Sequence, residues 1–233
     1  MSRGTKLMLV VCLWLLAIAV AMSLDRSIAM WVQSSGLDRW MHAHKTLSEI
    51  LKSPGSFYFT AVVAVVVAML HPWKWKAGGF LLLATIVSGV NGLIKWLVGR
   101  TRPFKYARYD TSGEPVPAPF SLSPLRGGVH GLFNGTNLCF PSGHAVLAFA
   151  TAAAVAMLWP KSPWRWLAYA IACVVAAERI AENAHWLSDT VAAAALGVGG
   201  VYLIHWILTT LWNRDEGDAR PVASRLTESD LLL

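Results

Sequence analysis

Charge is what this sequence has least of. Of its 233 residues 14% are charged and 55% hydrophobic, and the mean hydropathy is +0.49. Soluble domains average about 25% charged residues. High apolar content and 12 Trp exclude a disordered chain. Cysteine is also scarce: Cys12, Cys139 and Cys173 form an odd count with no disulfide framework and no metal-ligand spacing, and are expected as free thiols. Internal repeats are absent. The formal charge of +7 is spread over short loops, with no basic stripe or soluble module, which excludes a nucleic-acid partner.

Long uncharged runs are what the chain does have. A spanning helix needs about 20 mostly apolar residues. Runs of this kind occupy residues 7–24, 57–73, 77–94, 145–159, 166–177 and 190–212. The expected fold class is therefore all-α, a polytopic membrane protein of six transmembrane helices. Ala19-Val20-Ala21 in the first run resembles a signal-peptide cleavage site. The apolar run continues past it, so an uncleaved anchor is expected, with Asp25 beyond the span on the outer side. With the N-terminus inside, every inner segment is basic: Arg3 and Lys6, Lys74 and Lys76, Lys161 and Arg165, then Arg214, Arg220 and Arg225. The outer segments hold Arg100, Arg102, Lys105 and Arg108, cations that need a reason of their own. Most of the Trp residues near span ends fit an interfacial belt.

Residues 1–212 are expected to form one membrane domain. Residues 37–53 carry Leu37, Trp40, Met41, His44, Leu47 and Leu51 at helical spacing. Such a helix would lie on the bilayer surface or pack as a connector. The outer loop of about residues 100–141 is rich in Pro and Gly, a length that usually signals function or disorder. Its Lys105, Arg108, Arg126 and His130 are candidates for setting substrate choice. Residues 213–233 read as a polar, disordered cytoplasmic tail.

Three polar clusters fall on the outer face. Lys95 and Arg102 lie seven residues apart, which on a continuous helix would place both cations on one face for a multiply charged anion. Lys95 alone could simply snorkel. Pro141-Ser142-Gly143-His144 opens an apolar helix: Ser142 is an N-cap type, Gly143 admits close approach, and helix-start N–H groups suit phosphate oxygens. A plain cap with a solvent-facing His144 is the ordinary alternative. Arg179 sits at membrane depth beside Glu178, so it is either functional or paired with Glu178 or Glu182. His185 and Asp189 are four apart, the spacing that lets a carboxylate orient an imidazole. Together these are the parts of phosphoryl transfer: charge clamps, a nucleophile, a proton donor and a positioned backbone.

These residues resemble the type 2 phosphatidic acid phosphatase superfamily, whose signature runs Lys-x6-Arg-Pro, Pro-Ser-Gly-His, Ser-Arg-x5-His-x3-Asp. Here it reads Lys95…Arg102-Pro103, Pro141-Ser142-Gly143-His144 and Arg179…His185…Asp189, over about residues 57–212, with Glu178 where the family has Ser. The resemblance implies an integral-membrane lipid phosphatase acting on phosphatidic acid, phosphatidylglycerophosphate, undecaprenyl diphosphate or lipid A. It implies His185 as nucleophile, Asp189 orienting it and His144 as general acid and base. Lys95, Arg102, Ser142, Gly143 and Arg179 would hold the phosphate, with no metal or other cofactor. The expected setting is a bacterial-type inner membrane with both termini cytoplasmic and the site periplasmic. The rivals are a vanadium-dependent haloperoxidase, which six spans oppose, and a non-hydrolytic lipid-phosphate binding or transport protein. An oriented His185 opposes the latter.

Overall fold

The computed structural model describes residues 2–105 and 138–218. Among them every regular element is helical: α1 (Arg3–Ser34), α2 (Leu37–Ala43), α3 (Lys45–Lys52), a 3-10 turn (Ser53–Gly55), α4 (Phe57–Leu70), α5 (Trp75–Val98), α6 (Gly143–Leu158), α7 (Trp164–Ala181) and α8 (Leu187–Asp218). The chain divides into two compact units, Met1–Val201 and Tyr202–Leu233.

In the first unit the usual soluble pattern is inverted. The outward faces carry the large apolar side chains, including Val62, Val65 and Met69 of α4 and Ile86, Val90 and Leu93 of α5. The buried faces carry small ones, such as Ala145, Ala148, Ala150 and Ala152 of α6 and Ala172 of α7. Lipid tails are as apolar as leucine, so burial of large side chains gains little in a bilayer, and close backbone approach of small residues holds helices together instead. Gly197 of α8 shows how close that approach is: a Cβ there would lie 2.6 Å from the Val146 carbonyl oxygen of α6. Some of the buried polar groups pair across helices. Thr60 and Thr151 share a hydrogen bond of 3.0 Å between α4 and α6, and His71 Nε2 lies 3.2 Å from the Leu158 carbonyl at the end of α6.

All six apolar runs are helical, but they do not all meet the length of a crossing. Three helical stretches are long and apolar enough to span a membrane: Gly4–Ser34, Trp75–Lys105 and Leu187–Leu211. A fourth arises if Lys45–Gly55 and Phe57–Leu70, bent by 54° at their junction, count as one span. Helix α6 has 16 residues, about 24 Å at 1.5 Å per residue, short of a hydrocarbon core of about 30 Å. Helix α7 has Arg165, Glu178 and Arg179 within it.

Three local expectations change. Helix α1 continues through Asp25 to Ser34 without a break, so Asp25 does not end it, and its side chain is buried in the protein. Residues 37–53 form not one helix but α2, α3 and the 3-10 turn, split at His44. Their buried residues are Met41, Ser48 and Gly55, whereas Trp40 and Leu47 face outward. Helix α8 runs on through residues 213–218, where the polar tail was expected to begin; residues 219–233 lie outside the described residues.

In the second unit residues 202–211 are helical and expose Tyr202, Leu203, Trp206, Ile207, Leu208 and Leu211. The hydroxyls of Thr209 and Thr210 donate back to the carbonyls of His205 and Trp206. Their polar groups are thus satisfied inside the helix, as an apolar surrounding requires.

Candidate active site

The site forms where α5, α6 and α8 have their ends and α7 turns into α8. Backbone hydrogen bonds tie these strips of chain together. Cys139 N–H donates to the Arg100 carbonyl at 3.1 Å, Ser142 N–H to the Asp189 carbonyl at 3.2 Å, and Phe104 N–H to the Asn183 carbonyl at 3.2 Å. The Arg179 carbonyl accepts from the N–H groups of both Ala184 and His185, each at 3.2 Å, so the end of α7 itself shapes the His185 turn. Asn183 takes a left-handed φ of 55° within that turn, a conformation Asn tolerates better than most residues.

His185 Nδ1 faces Asp189 Oδ2 at 3.3 Å, and both side chains are buried. With a carboxylate opposite, Nδ1 holds the ring proton and Nε2 keeps the lone pair. Nε2 has no hydrogen-bond partner among the described residues. Burial pushes the imidazole pKa down to about 4, despite the opposing pull of Asp189; Lys95 and Arg102 push the same way as burial. Asp189 Oδ2 also accepts from Cys139 Sγ at 2.7 Å and from Trp186 N–H at 2.9 Å, while Oδ1 accepts from Arg100 Nη1 at 2.5 Å. The carboxylate is therefore fixed on both oxygens.

The expected phosphate-holding residues are all here, arranged differently from a single helical face. Helix α5 ends at Val98 with Gly99 left-handed at φ 59°. Arg102 thus stands beyond the helix and is not related to Lys95 by helical spacing. The loop brings it back instead, with Arg102 Nη1 3.4 Å from the Ala184 carbonyl, one residue before His185. Lys95 Nζ donates to the Leu138 carbonyl at 3.0 Å. Ser142 does occupy the N-cap position of α6, but its hydroxyl makes no capping bond. It is buried and without a hydrogen-bond partner among the described residues, as is Asn91 Oδ1 on α5. At Gly143 a Cβ would stand 3.5 Å from Asn91 Nδ2 and 4.0 Å from Lys95 Nζ, so the missing side chain opens α6's first turn toward both.

Arg179 meets both of its expected partners. Nε and Nη2 bind Glu178 at 2.6 and 2.8 Å, and Nη2 also binds Glu182. Ser48 Oγ donates to Glu178 Oε1 at 2.6 Å, so α3 holds the carboxylate that holds the arginine. Nη1 has no partner among the described residues. His144 is half-buried, with the charges of Arg179, Lys52, Glu178 and Lys95 acting on it.

Sequence reasoning missed Asp25, Ser188, Asn91 and the role of Cys139, and it set Arg100 beside Lys95 and Arg102 at an anion pocket, whereas its guanidinium is bound by the Asp25 and Asp189 carboxylates. Cys139 is a free thiol as expected, but a buried one in contact with the His185–Asp189 pair; burial and the nearby Asp189 raise its pKa well above the usual thiol value. Cys139 Sγ, His185 Nδ1 and Asp189 Oδ2 lie within 4.8 Å of one another, a set of donors that could hold a metal ion. A neutral thiol and an imidazole sharing one carboxylate account for the same distances. Of the four loop residues expected to set substrate choice, Arg108, Arg126 and His130 lie outside the described residues.

A model of the PAP2 superfamily matches residues 73–213. The chain belongs to the PAP2 superfamily. That match takes in every expected site residue of this PAP2 chain. Lipid A 1-phosphatase of Rhizobium johnstonii is 32% identical to it over 121 residues, 52% of this chain and 43% of the relative. Lipid A 1-phosphatase of Porphyromonas gingivalis is 35% identical over 80 residues, 34% of this chain and 18% of the relative. The chain thus spans less than half the length of these curated relatives. A Bacillus subtilis transmembrane PAP2-type phosphatidylglycerolphosphate phosphatase superposes with a TM-score of 0.47 at 17% identity, over 90% of this chain and 98% of that one.

Proposed function

We propose that this PAP2 chain is a metal-independent lipid-phosphate phosphohydrolase working through a phosphohistidine. The observation that carries the reading is the buried His185, with Nδ1 held by Asp189 and Nε2 unengaged. Nε2 attacks phosphorus, the bond from phosphorus to the lipid oxygen breaks, and that oxygen takes a proton from His144. His144, now neutral, accepts a proton from water, whose oxygen attacks the phosphohistidine and releases phosphate and free His185. Lys95, Arg102, Nη1 of Arg179, the Ser142 hydroxyl and the N–H of Gly143 hold the phosphate oxygens as charge moves onto them. Glu178, where the family has Ser, takes the part of orienting Arg179.

The substrate is a membrane lipid carrying a phosphomonoester or diphosphate. The names of the curated relatives put a lipid A phosphate first, ahead of phosphatidic acid, phosphatidylglycerophosphate and undecaprenyl diphosphate. The site belongs on the periplasmic face of an inner membrane, with both termini cytoplasmic, within one membrane domain over residues 1–212. The basic inner segments support that orientation.

Protein purified in detergent should release phosphate from at least one of these four lipids, at a rate unchanged by EDTA. No release from any of them by folded protein would favour a lipid-phosphate binding or transport role. Activity abolished by EDTA and restored by a divalent ion would assign the Cys139–His185–Asp189 donors to a metal.

The buried imidazole has a consequence for pH. Neutral His185 is the nucleophilic form, and it persists as pH falls until about 4. The single-turnover rate of phosphoryl-enzyme formation should therefore lose its nucleophile only near pH 4, not near the ordinary histidine value of about 6.5. Rapid-quench measurements across this range test it, and a half-loss at the ordinary value would refute a buried, neutral His185.

A further inference from the structure

Arg100 is among the largest fully buried side chains of the described residues, at 2% exposure. It lies between two carboxylates. Nη1 donates to Asp189 Oδ1 at 2.5 Å and to Ser188 Oγ at 2.7 Å, and Nη2 donates to Asp25 Oδ2 at 2.7 Å. Asp25, on α1, is 5% exposed and uses both oxygens: Oδ1 accepts from Ser188 N–H at 2.8 Å and Oδ2 from Ser188 Oγ at 2.5 Å. Ser188 is the second residue of α8, so the Asp25 carboxylate also sits at the positive end of that helix.

Helix α1 reaches this point through one narrow stripe. Ala21, Asp25, Ala29 and Val32 are buried, at spacings of four, four and three residues. Ala29 packs in one cluster with Cys139 and Trp186. Most of the rest of α1, from Leu7 to Leu16, faces outward. In a bilayer such an apolar helix has little reason to seat at one register; a buried ion pair supplies one.

We infer that Asp25 of α1 is a positioning residue for the His185–Asp189 pair, acting through Arg100 and Ser188. The inference rests on the reading of His185 as the nucleophile. A buried guanidinium bonded to Asp189 draws that carboxylate's charge away from the imidazole. Asp25 offsets it: the group of Asp25, Arg100 and Asp189 keeps one net negative charge, and that charge faces His185. When phosphoryl transfer makes the ring cationic, this surplus stabilises it. The remaining charged groups acting on His185 are Lys95 and Arg102, and neutral Cys139 touches its Nδ1.

Asp25→Asn keeps the shape and removes the charge. We expect kcat to fall about 10- to 100-fold, by analogy with the loss of a group that orients a metal ligand from one shell further out, with KM within about twofold. The Nδ1–H resonance of His185 in 15N-histidine-labelled protein should move to higher field as its bond to Asp189 weakens. Asp25→Glu should recover most of the loss. The double variant Asp25→Asn/Arg100→Gln, which removes the surplus cation as well, should be more active than Asp25→Asn alone. Asp25→Asn with wild-type kcat and an unmoved resonance overturns the inference. So does a loss of activity with the resonance unmoved and no recovery in the double variant, because that marks a helix anchor only. Should Asp25→Asn fail to fold, Asp25→Glu and the double variant carry the same two readouts. The resonance is read whether or not lipid is hydrolysed. A wild-type protein inert on every lipid, in which Asp25→Asn still moves it, refutes the phosphatase reading and leaves the coupling standing.

Discussion

His185→Ala should reduce lipid-phosphate hydrolysis by at least about 10⁴-fold in kcat, because the proposed covalent intermediate forms on its Nε2. Cys139 is the nearest nucleophile type, but it is buried, its pKa is raised, and its proton is committed to Asp189. The fold should survive. Asp189 loses one hydrogen bond of 3.3 Å and retains Arg100, Cys139 and the Trp186 N–H. No buried charge is left unpaired, so the cause of large destabilisation in such clusters is absent. The expected result is a helical protein with a near wild-type melting temperature and no turnover. His144→Ala should look different: an acid-labile, base-stable phosphoryl-enzyme that forms slowly and lingers, because both the proton donor and the base for water are missing. Phosphate release, circular dichroism and trapping of labelled enzyme together separate the two. A His185→Ala protein with wild-type turnover would refute the assigned nucleophile.

The placement of the candidate site residues was readable wherever it is tied to helix ends. His185 and Asp189 stand four apart across the start of α8, and Ser142, Gly143 and His144 occupy the start of α6, so local spacing already places them together. Lys95 and Arg102 were grouped for a reason that fails: the helix stops at Gly99, and a loop rather than helical periodicity brings Arg102 to the Ala184 carbonyl beside His185. What could not be read was pairing over long distances in the chain. Asp25 and Arg100 are 75 positions apart, Arg100 and Asp189 are 89 apart, and Ser48 and Glu178 are 130 apart. No periodicity couples such positions, and Asp25 looked like the polar end of an anchor. The one available signal was the surplus of outer cations against the usual charge bias. Arg100 now has its explanation in burial between two carboxylates. Six crossings do not follow from six apolar runs, because an apolar run reports that a helix avoids water, which α6 does by packing among other helices as much as by facing outward.

Gly55→Ala should lower kcat by about 100-fold without touching any reacting group. Gly55 closes the 3-10 turn between α3 and α4, and it is buried against the first turn of α6. A Cβ there would lie 2.4 Å from the His144 carbonyl oxygen and 2.8 Å from its Cα. The obstacle is main chain, so no side-chain rotation relieves it. Either the turn withdraws from α6 or the His144 backbone moves. A shift of about 1 Å in a group that must meet a reacting atom costs on the order of 10²-fold. Because His185 and Asp189 belong to the α7–α8 turn and the first turn of α8, and the atoms nearest a Cβ at Gly55 all belong to His144, the phosphoryl-enzyme should still form, slowly, and persist as in His144→Ala. Gly79→Ala is the matched control: nothing lies within 4 Å of its Cβ, and an exposed helical Gly→Ala change is neutral to stabilising by up to about 1 kcal/mol. Gly79→Ala at wild-type rate beside a slowed Gly55→Ala, with trapped intermediate, places the proton-transfer histidine on the surface that Gly55 shapes. Equal and unchanged turnover in both would mean that His144 works without that support, and the general acid would have to be sought elsewhere.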